Sequence, residues 1–171
     1  GNEERRAREY PHTFSGGMRQ RAMIAMGISA GAKLLLADEP TKGLDEKRVR
    51  MVEDSFRLLK EQTILCVTHD LYFAKAIGQT VSVMYAAQQV EYAPVSELFR
   101  APLHPYTRDM LRALPENGLQ CTEGFAPSHN AYGNTGCRYS RRCSDCFFKC
   151  TQPPPLADRG GHKVRCWKYA D

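Results

Sequence analysis

Apolar residues along this chain recur at two spacings, and the spacings separate strands from helices. Leu34-Leu35-Leu36-Ala37 and Thr63-Ile64-Leu65-Cys66-Val67 are short and nearly continuous runs, the pattern of parallel strands covered on both faces. Residues about 80–85 and 88–92 read as a strand pair, although the turn between them carries Ala86-Ala87 where glycine is the usual choice. Elsewhere the spacing is three and four. Met18, Ala22, Ala25 and Met26 predict one face of a helix over about 17–29, and Val49, Val52, Phe56 and Leu59 predict another, capped by Asp45 and reaching about residue 60. Short helices are expected at about 71–77 and 95–100, and a proline-bounded loop leads into an amphipathic helix carrying Leu111 and Leu114. Strands alternating with helices through residue 77 predict an α/β fold built on a parallel sheet.

Composition adds little to this and excludes some classes. The chain has 171 residues, 42% of them apolar and 25% charged, enough for one ordinary domain or one domain with a small appendage. No apolar run approaches the ~18 to 20 residues that span a bilayer. The net charge of +5 is spread between the first residues and the segment after Arg138, which suits solvated faces rather than a nucleic-acid footprint.

Candidate chemistry begins where the first apolar run ends. Asp38 and Glu39 stand at the carboxyl end of a strand, where ligands of parallel sheets bind; paired carboxylates there can hold hydrated Mg²⁺ and activate water against a phosphate. Upstream, Ser15-Gly16-Gly17 leads into the first long helix. Ser15 is a good N-cap, and the glycines allow a phosphate to reach backbone N–H groups at the positive helix end. Gly43-Leu44-Asp45 follows the carboxylates, and His69 lies at the end of the second run, positioned to reach a terminal phosphate.

In this order and spacing, the stretch from about Tyr10 to Asp70 resembles the ATP-binding cassette (ABC) proteins, through the signature motif, Walker B strand, D-loop and H-loop. The resemblance implies that Ser15, Gly16 and Gly17 grip ATP phosphates, that Asp38 holds Mg²⁺ through water, that Glu39 is the general base, and that His69 contacts the γ-phosphate. Asp45 would couple two sites of a dimer. Met18 within the signature, and the step His104-Pro105-Tyr106-Thr107, narrow the likeness to the oligopeptide, dipeptide and nickel importer ATPases and the related carbon–phosphorus lyase accessory ATPases. A Gly-x-x-x-x-Gly-Lys-Ser/Thr loop occurs nowhere. The chain is therefore expected to be the C-terminal portion of a longer ATPase and incompetent alone.

From Pro115 to Gly136 the chain is rich in Gly, Asn, Ser and Pro, a linker composition. Five of the seven cysteines follow: Cys137, Cys143, Cys146, Cys150 and Cys166. Cys66 reads as a small core residue, Cys121 has no assignment, and His162 reads as a surface residue. In a reducing compartment such a cluster binds metal rather than forming disulfides, and neighbouring Arg138, Arg141, Arg142, Lys149 and Arg165 would offset thiolate charge. Spacing alone suits either a structural Zn²⁺ or a [4Fe–4S] cluster. The peptide importer ATPases carry a similar Gly-Cys-x5-Cys-x6-Cys, Pro-Pro-Leu and distant Cys. That likeness implies a [4Fe–4S] cluster on Cys137, Cys143, Cys150 and Cys166, with Cys146 spare.

The resulting expectation is a partial P-loop NTPase of the ABC type. Residues 1–100 would form the C-terminal part of the nucleotide-binding domain, and 101–171 an importer-type extension with a cysteine-rich tail. Implied partners are ATP, Mg²⁺, a second ATPase subunit (homo- or heterodimer), two membrane permeases and an extracytoplasmic solute-binding protein, at the cytoplasmic face of the membrane. The alternatives are a carbon–phosphorus lyase accessory ATPase and a non-hydrolytic metal-binding module.

Overall fold

The computed structural model describes residues 2–29, 31–128, 131–132 and 135–170. They fall into two compact units, Gly1–Gly78 and Gln79–Asp171. In the second unit the strand pair and the short helix pack with Cys137, Tyr139 and Cys143 of the cysteine-rich tail.

The first unit runs α1 (Asn2–Ala7), a 3₁₀ turn (Pro11–Thr13), α2 (Gly16–Ser29), β1 (Leu34–Asp38), α3 (Glu46–Arg57), β2 (Thr63–Val67) and α4 (Leu71–Ile77). β1 and β2 pair in parallel, from Leu34 opposite Thr63 to Asp38 opposite Val67. The parallel α/β expectation holds here. Asp45 caps α3 by accepting from the Arg48 N–H, and Asp70 caps α4 through the Phe73 N–H. Val52, Phe56 and Phe73 form the core, with Ile24, Val49, Ile77 and the inward strand residues Ala37, Ile64 and Cys66 packed on it.

Two expectations about faces are corrected. Leu34, Leu36, Leu65 and Val67 were expected to be covered but are exposed, Leu36 by 68%. All the described helices that contribute to this core pack against the other face of the two strands. In α2, the residue that enters the core is Ile24, while Met26 is 74% exposed. The run Ala22-Met23-Ile24-Ala25-Met26 is apolar around the whole helix, so its periodicity selects no face. α3 also stops at Arg57, leaving Leu59 beyond its end.

The second unit runs β3 (Thr80–Tyr85), β4 (Gln88–Pro94), α5 (Val95–Arg100), α6 (Pro105–Arg112), 3₁₀ turns at Pro115–Asn117, Ser140–Arg142 and Phe148–Thr151, then β5 (Ala157–Arg159) and β6 (His162–Val164). The sheet is antiparallel in the order β3-β4-β6-β5. Its core gathers Val83, Tyr85, Val90, Ala93, Leu98 and Tyr139. Tyr85, Tyr106 and Tyr139 pack tilted or edge-on with centroids 4.6 to 5.4 Å apart, and the Tyr139 hydroxyl donates to Asp109 Oδ2 at 2.5 Å. The turn without glycine forms nonetheless: Ala86 and Ala87 adopt φ of 48° and 58°, the conformation a two-residue type I′ hairpin requires.

His162, expected at the surface, is drawn inward. Its Nε2 lies 2.6 Å from Glu91 Oε1, with side-chain exposures of 12% and 0%. Glu91 also accepts from the Leu103 N–H at 2.7 Å and the His104 N–H at 3.0 Å. A carboxylate with no solvent contact must be matched in this way. His104 Nδ1 in turn accepts from the Tyr106 N–H and caps α6.

Candidate functional site

The carboxylates and the histidine singled out by sequence meet at the ends of the paired strands. Register places Asp38 opposite Val67, and the Glu39 N–H donates to the Val67 carbonyl at 2.8 Å, extending the ladder one step. Two residues on, His69 reaches back: its Nδ1 lies 2.7 Å from Glu39 Oε2, with side-chain exposures of 76% and 28%. The approach is close but off the hydrogen-bond direction, so Oε2 is shielded from solvent with no donor aligned on it. A shielded carboxylate oxygen without a donor fits a water or a hydrated cation. Burial first, then the charges of Glu39 and Asp38, push the Cys66 thiol up to about 11. The strand ends are thus a concentration of negative charge, which suits Mg²⁺.

The signature segment is built as expected for a helix start. Ser15 lies just before α2, its carbonyl accepts from the Arg19 N–H at 3.0 Å, and its Oγ accepts from the Met18 N–H at 3.4 Å. A Cβ on Gly17 would lie 3.4 Å from Arg48 Cδ, and one on Gly16 4.0 Å from Leu44 Cδ2. The signature therefore sits against the start of α3. Asp45 is engaged there, with Oδ1 accepting from the Arg48 N–H at 2.9 Å and Oδ2 lying 3.2 Å from the Arg48 guanidinium. Among the described residues no hydrogen bond or ion pair joins Ser15, Gly16 or Gly17 to Glu39 or His69.

In the second unit the tail cysteines are neighbours. Cys137 and Cys143 are half-buried, Cys150 and Cys166 are buried, and Cys146 is exposed. The Cys137 N–H donates to the Cys150 carbonyl at 2.9 Å. The backbone at Tyr139 and Ser140 favours the Cys137 thiolate, that at Asp145 the Cys143 thiolate, and that at Lys168 the Cys166 thiolate. Burial pushes all three thiols up, Cys143 to about 12, and mutual repulsion with the other cysteines adds to this. Among the described residues no three His, Cys, Asp or Glu side chains converge on one metal-ion position. A tetrahedral zinc would hold its sulfurs at about 2.3 Å, whereas a multi-iron cluster spreads its thiolates around a larger body.

The basic residues expected to serve these thiols are mostly engaged elsewhere. Arg138 donates to the Ala86 carbonyl, Arg165 to the carbonyls of Gln89 and Pro154, and Lys149 lies over the Trp167 ring at 5.6 Å. Lys168 and Arg108 are the cations beside Cys166, and both pair with Asp145. Sequence spacing missed this triad because its members lie 23 and 37 residues apart.

Family comparison agrees with the geometry. Residues 90–150 match the model for the oligopeptide/dipeptide transporter, C-terminal region, and residues 1–42 match that for the ABC transporter. The oligopeptide transport ATP-binding protein AppD of Bacillus subtilis is 40% identical over 174 residues, covering 96% of this chain and 53% of its own. A peptide import ATP-binding protein of Brucella melitensis is 37% identical over 171 residues, covering 95% of this chain and 51% of its own. The chain spans about half the length of the curated relatives it matches. Among solved structures, the ATP-binding cassette MJ1267 of an ABC transporter superposes with a TM-score of 0.54 at 19% identity, over 60% of this chain and 42% of that one. An inward-facing metal-chelate type ABC transporter gives a TM-score of 0.50 at 26% identity, over 61% and 41%. Over most of its length the chain is therefore similar to ATP-binding proteins of ABC transporters, and its residues 90–150 to the C-terminal region of the oligopeptide/dipeptide transporters.

Proposed function

We propose that this chain is the C-terminal part of an ATP-hydrolysing subunit of an ABC importer for peptides or nickel. The observation that carries the reading is the Glu39 carboxylate, 2.7 Å from His69 at the strand ends, with one shielded oxygen awaiting a donor. Glu39 takes the proton from the water that attacks the γ-phosphorus as the bond to the β–γ bridging oxygen breaks and ADP leaves with the electron pair, and His69 stabilises charge on the transferred phosphoryl group. Asp38 would hold hydrated Mg²⁺, which would supply charge neutralisation. Ser15, Gly16 and Gly17 present the start of α2 to ATP phosphates, and Asp45 couples paired sites. The partners are a second ATPase subunit, two permeases and a solute-binding protein, with the ATPase at the cytoplasmic face of the membrane. Among the described residues no helix is long and apolar enough to cross a membrane.

Functionally, residues 1–100 belong to the cassette and 101–171 to the importer extension. Cys137, Cys143, Cys150 and Cys166 hold a [4Fe–4S] cluster in that extension, with Zn²⁺ as the alternative ion. The electrostatic coupling of Cys137, Cys143 and Cys166 to one another and to Cys150, with backbone polarity that favours three of the thiolates, supports this set. The cluster would supply a one-electron centre that also ties distant segments together.

The test is Glu39→Gln in the full-length ATP-binding subunit. ATP binding is retained and turnover falls by about 10²- to 10⁴-fold; unchanged turnover overturns the reading.

A further inference from the structure

His69 is 76% exposed along its side chain, so packing does not hold it against Glu39. Glu39 itself has φ of 48°, a left-handed conformation that a residue with a side chain keeps only when its surroundings impose it. Something must fix the two loops that carry this pair. Backbone supplies part: the Glu39 N–H bonds to the Val67 carbonyl at 2.8 Å, and the Lys42 N–H to the Glu39 carbonyl at 3.1 Å.

The remaining tie is a side-chain contact between the loops. Asp70 follows His69 directly. Its Oδ1 accepts from the Phe73 N–H at 3.0 Å, and its own N–H donates to Thr68 Oγ1 at 3.0 Å. Its second oxygen, Oδ2, accepts from the hydroxyl of Thr41 at 3.4 Å. Thr41 lies two residues past Glu39 and is buried, 6% exposed, and its carbonyl accepts from the Leu44 N–H at 3.1 Å. A helix cap needs only one oxygen. The other spans from the loop after β2 to the loop after β1.

We propose that Thr41 and Asp70 are positioning residues, a clamp that sets Glu39 against His69 for the hydrolysis assigned above; the proposal rests on that reading. The clamp acts through geometry, because misplacement by about an ångström of a reacting group can cost on the order of 100-fold in rate.

Thr41→Val removes the hydroxyl while leaving shape and the α4 cap intact, and Thr41→Ser restores the hydroxyl. Asp70→Ser keeps a cap but cannot reach both partners. In the full-length subunit, Thr41→Val and Asp70→Ser should each lower kcat by about 10- to 100-fold with KM for ATP nearly constant. Thr41→Ser should recover most of kcat, and the double variant should be little worse than either single one. In this chain, NMR cross-relaxation between the His69 ring protons and the Glu39 side chain should vanish in Thr41→Val and persist in Thr41→Ser. Full kcat and persistent cross-relaxation in Thr41→Val overturn the clamp. Loss of cross-relaxation, with Glu39→Gln still turning over ATP, supports the clamp and sinks the hydrolase reading instead.

Discussion

Gly136 and Cys150 approach so closely that a Cβ on the glycine would lie 2.9 Å from the Cys150 carbonyl oxygen and 3.0 Å from that of Thr151. Gly136 also has φ of 130°, where a side chain is strained. The neighbouring Cys137 N–H bonds to that same Cys150 carbonyl. Gly136→Ala should therefore destabilise the second unit by about 2 to 4 kcal/mol and move Cys137 away from Cys150. Urea unfolding monitored at Trp167 measures the first effect; an unshifted midpoint would show the contact to be soft.

Metal content distinguishes the tail thiols. Anaerobically purified protein should contain about four irons with matching sulfide. Cys137→Ser should lose them and Cys146→Ser should keep them, because Cys146 is the exposed member of the group. Elemental analysis showing one zinc per chain would assign the ion to Zn²⁺, and loss only in Cys146→Ser would reverse the ligand set.

The hairpin turn offers a stabilising change. Ala86 and Ala87 both hold positive φ without the freedom of glycine, so Ala87→Gly should relieve strain and raise stability by about 1 kcal/mol. A thermal midpoint that falls would mean that the extra chain freedom of glycine outweighs the strain.

Acid should weaken the second unit through His104. Burial lowers its pKa from 6.5 to about 4, with Glu91 opposing the shift. Between those values the unfolded chain holds a proton that the folded chain lacks, so stability is present above about 6.5 and is lost as pH falls toward about 4, by roughly 3 kcal/mol in all. His104→Asn keeps an acceptor for the α6 cap and should flatten this dependence. Chemical unfolding at several pH values checks it, and parallel slopes for the two proteins would remove His104 as the cause.

The uncovered face of β1 and β2 should make the chain sticky. Leu34, Leu36, Leu65 and Val67 form a contiguous apolar surface, of the kind that binds hydrophobic dyes and promotes association. Replacing Leu36 and Leu65 with Thr should reduce dye fluorescence and shift sedimentation toward monomer without changing the circular dichroism of the helices. Dye binding that survives both changes would locate the surface elsewhere.

Local chemistry explains what was legible in the sequence. α4 was readable to the residue because Asp70 caps it and Gly78 follows it, and β2 because its apolar run has sharp ends. The Glu39–His69 meeting followed from two parallel strands ending side by side. β5 and β6 escaped notice because each has three residues and their pairing depends on β4, far away in the chain. His162 looked solvent-facing for the same reason: its partner Glu91 lies 71 residues earlier. The inward face of α2 was misread because methionine and alanine surround that helix.

The pairing of β4 with β6 also sets a timetable for synthesis. Glu91 and its strand leave the ribosome about 70 residues before the segment that pairs with and covers them, several seconds at ordinary translation rates of ~5 to 20 residues per second. During that interval β3 and β4 form an open hairpin, and Glu91 has the Leu103 and His104 N–H groups but neither His162 nor the strand that covers it. A nonsense mutation shortly before His162 would therefore cost the whole C-terminal unit, rather than merely trim its end.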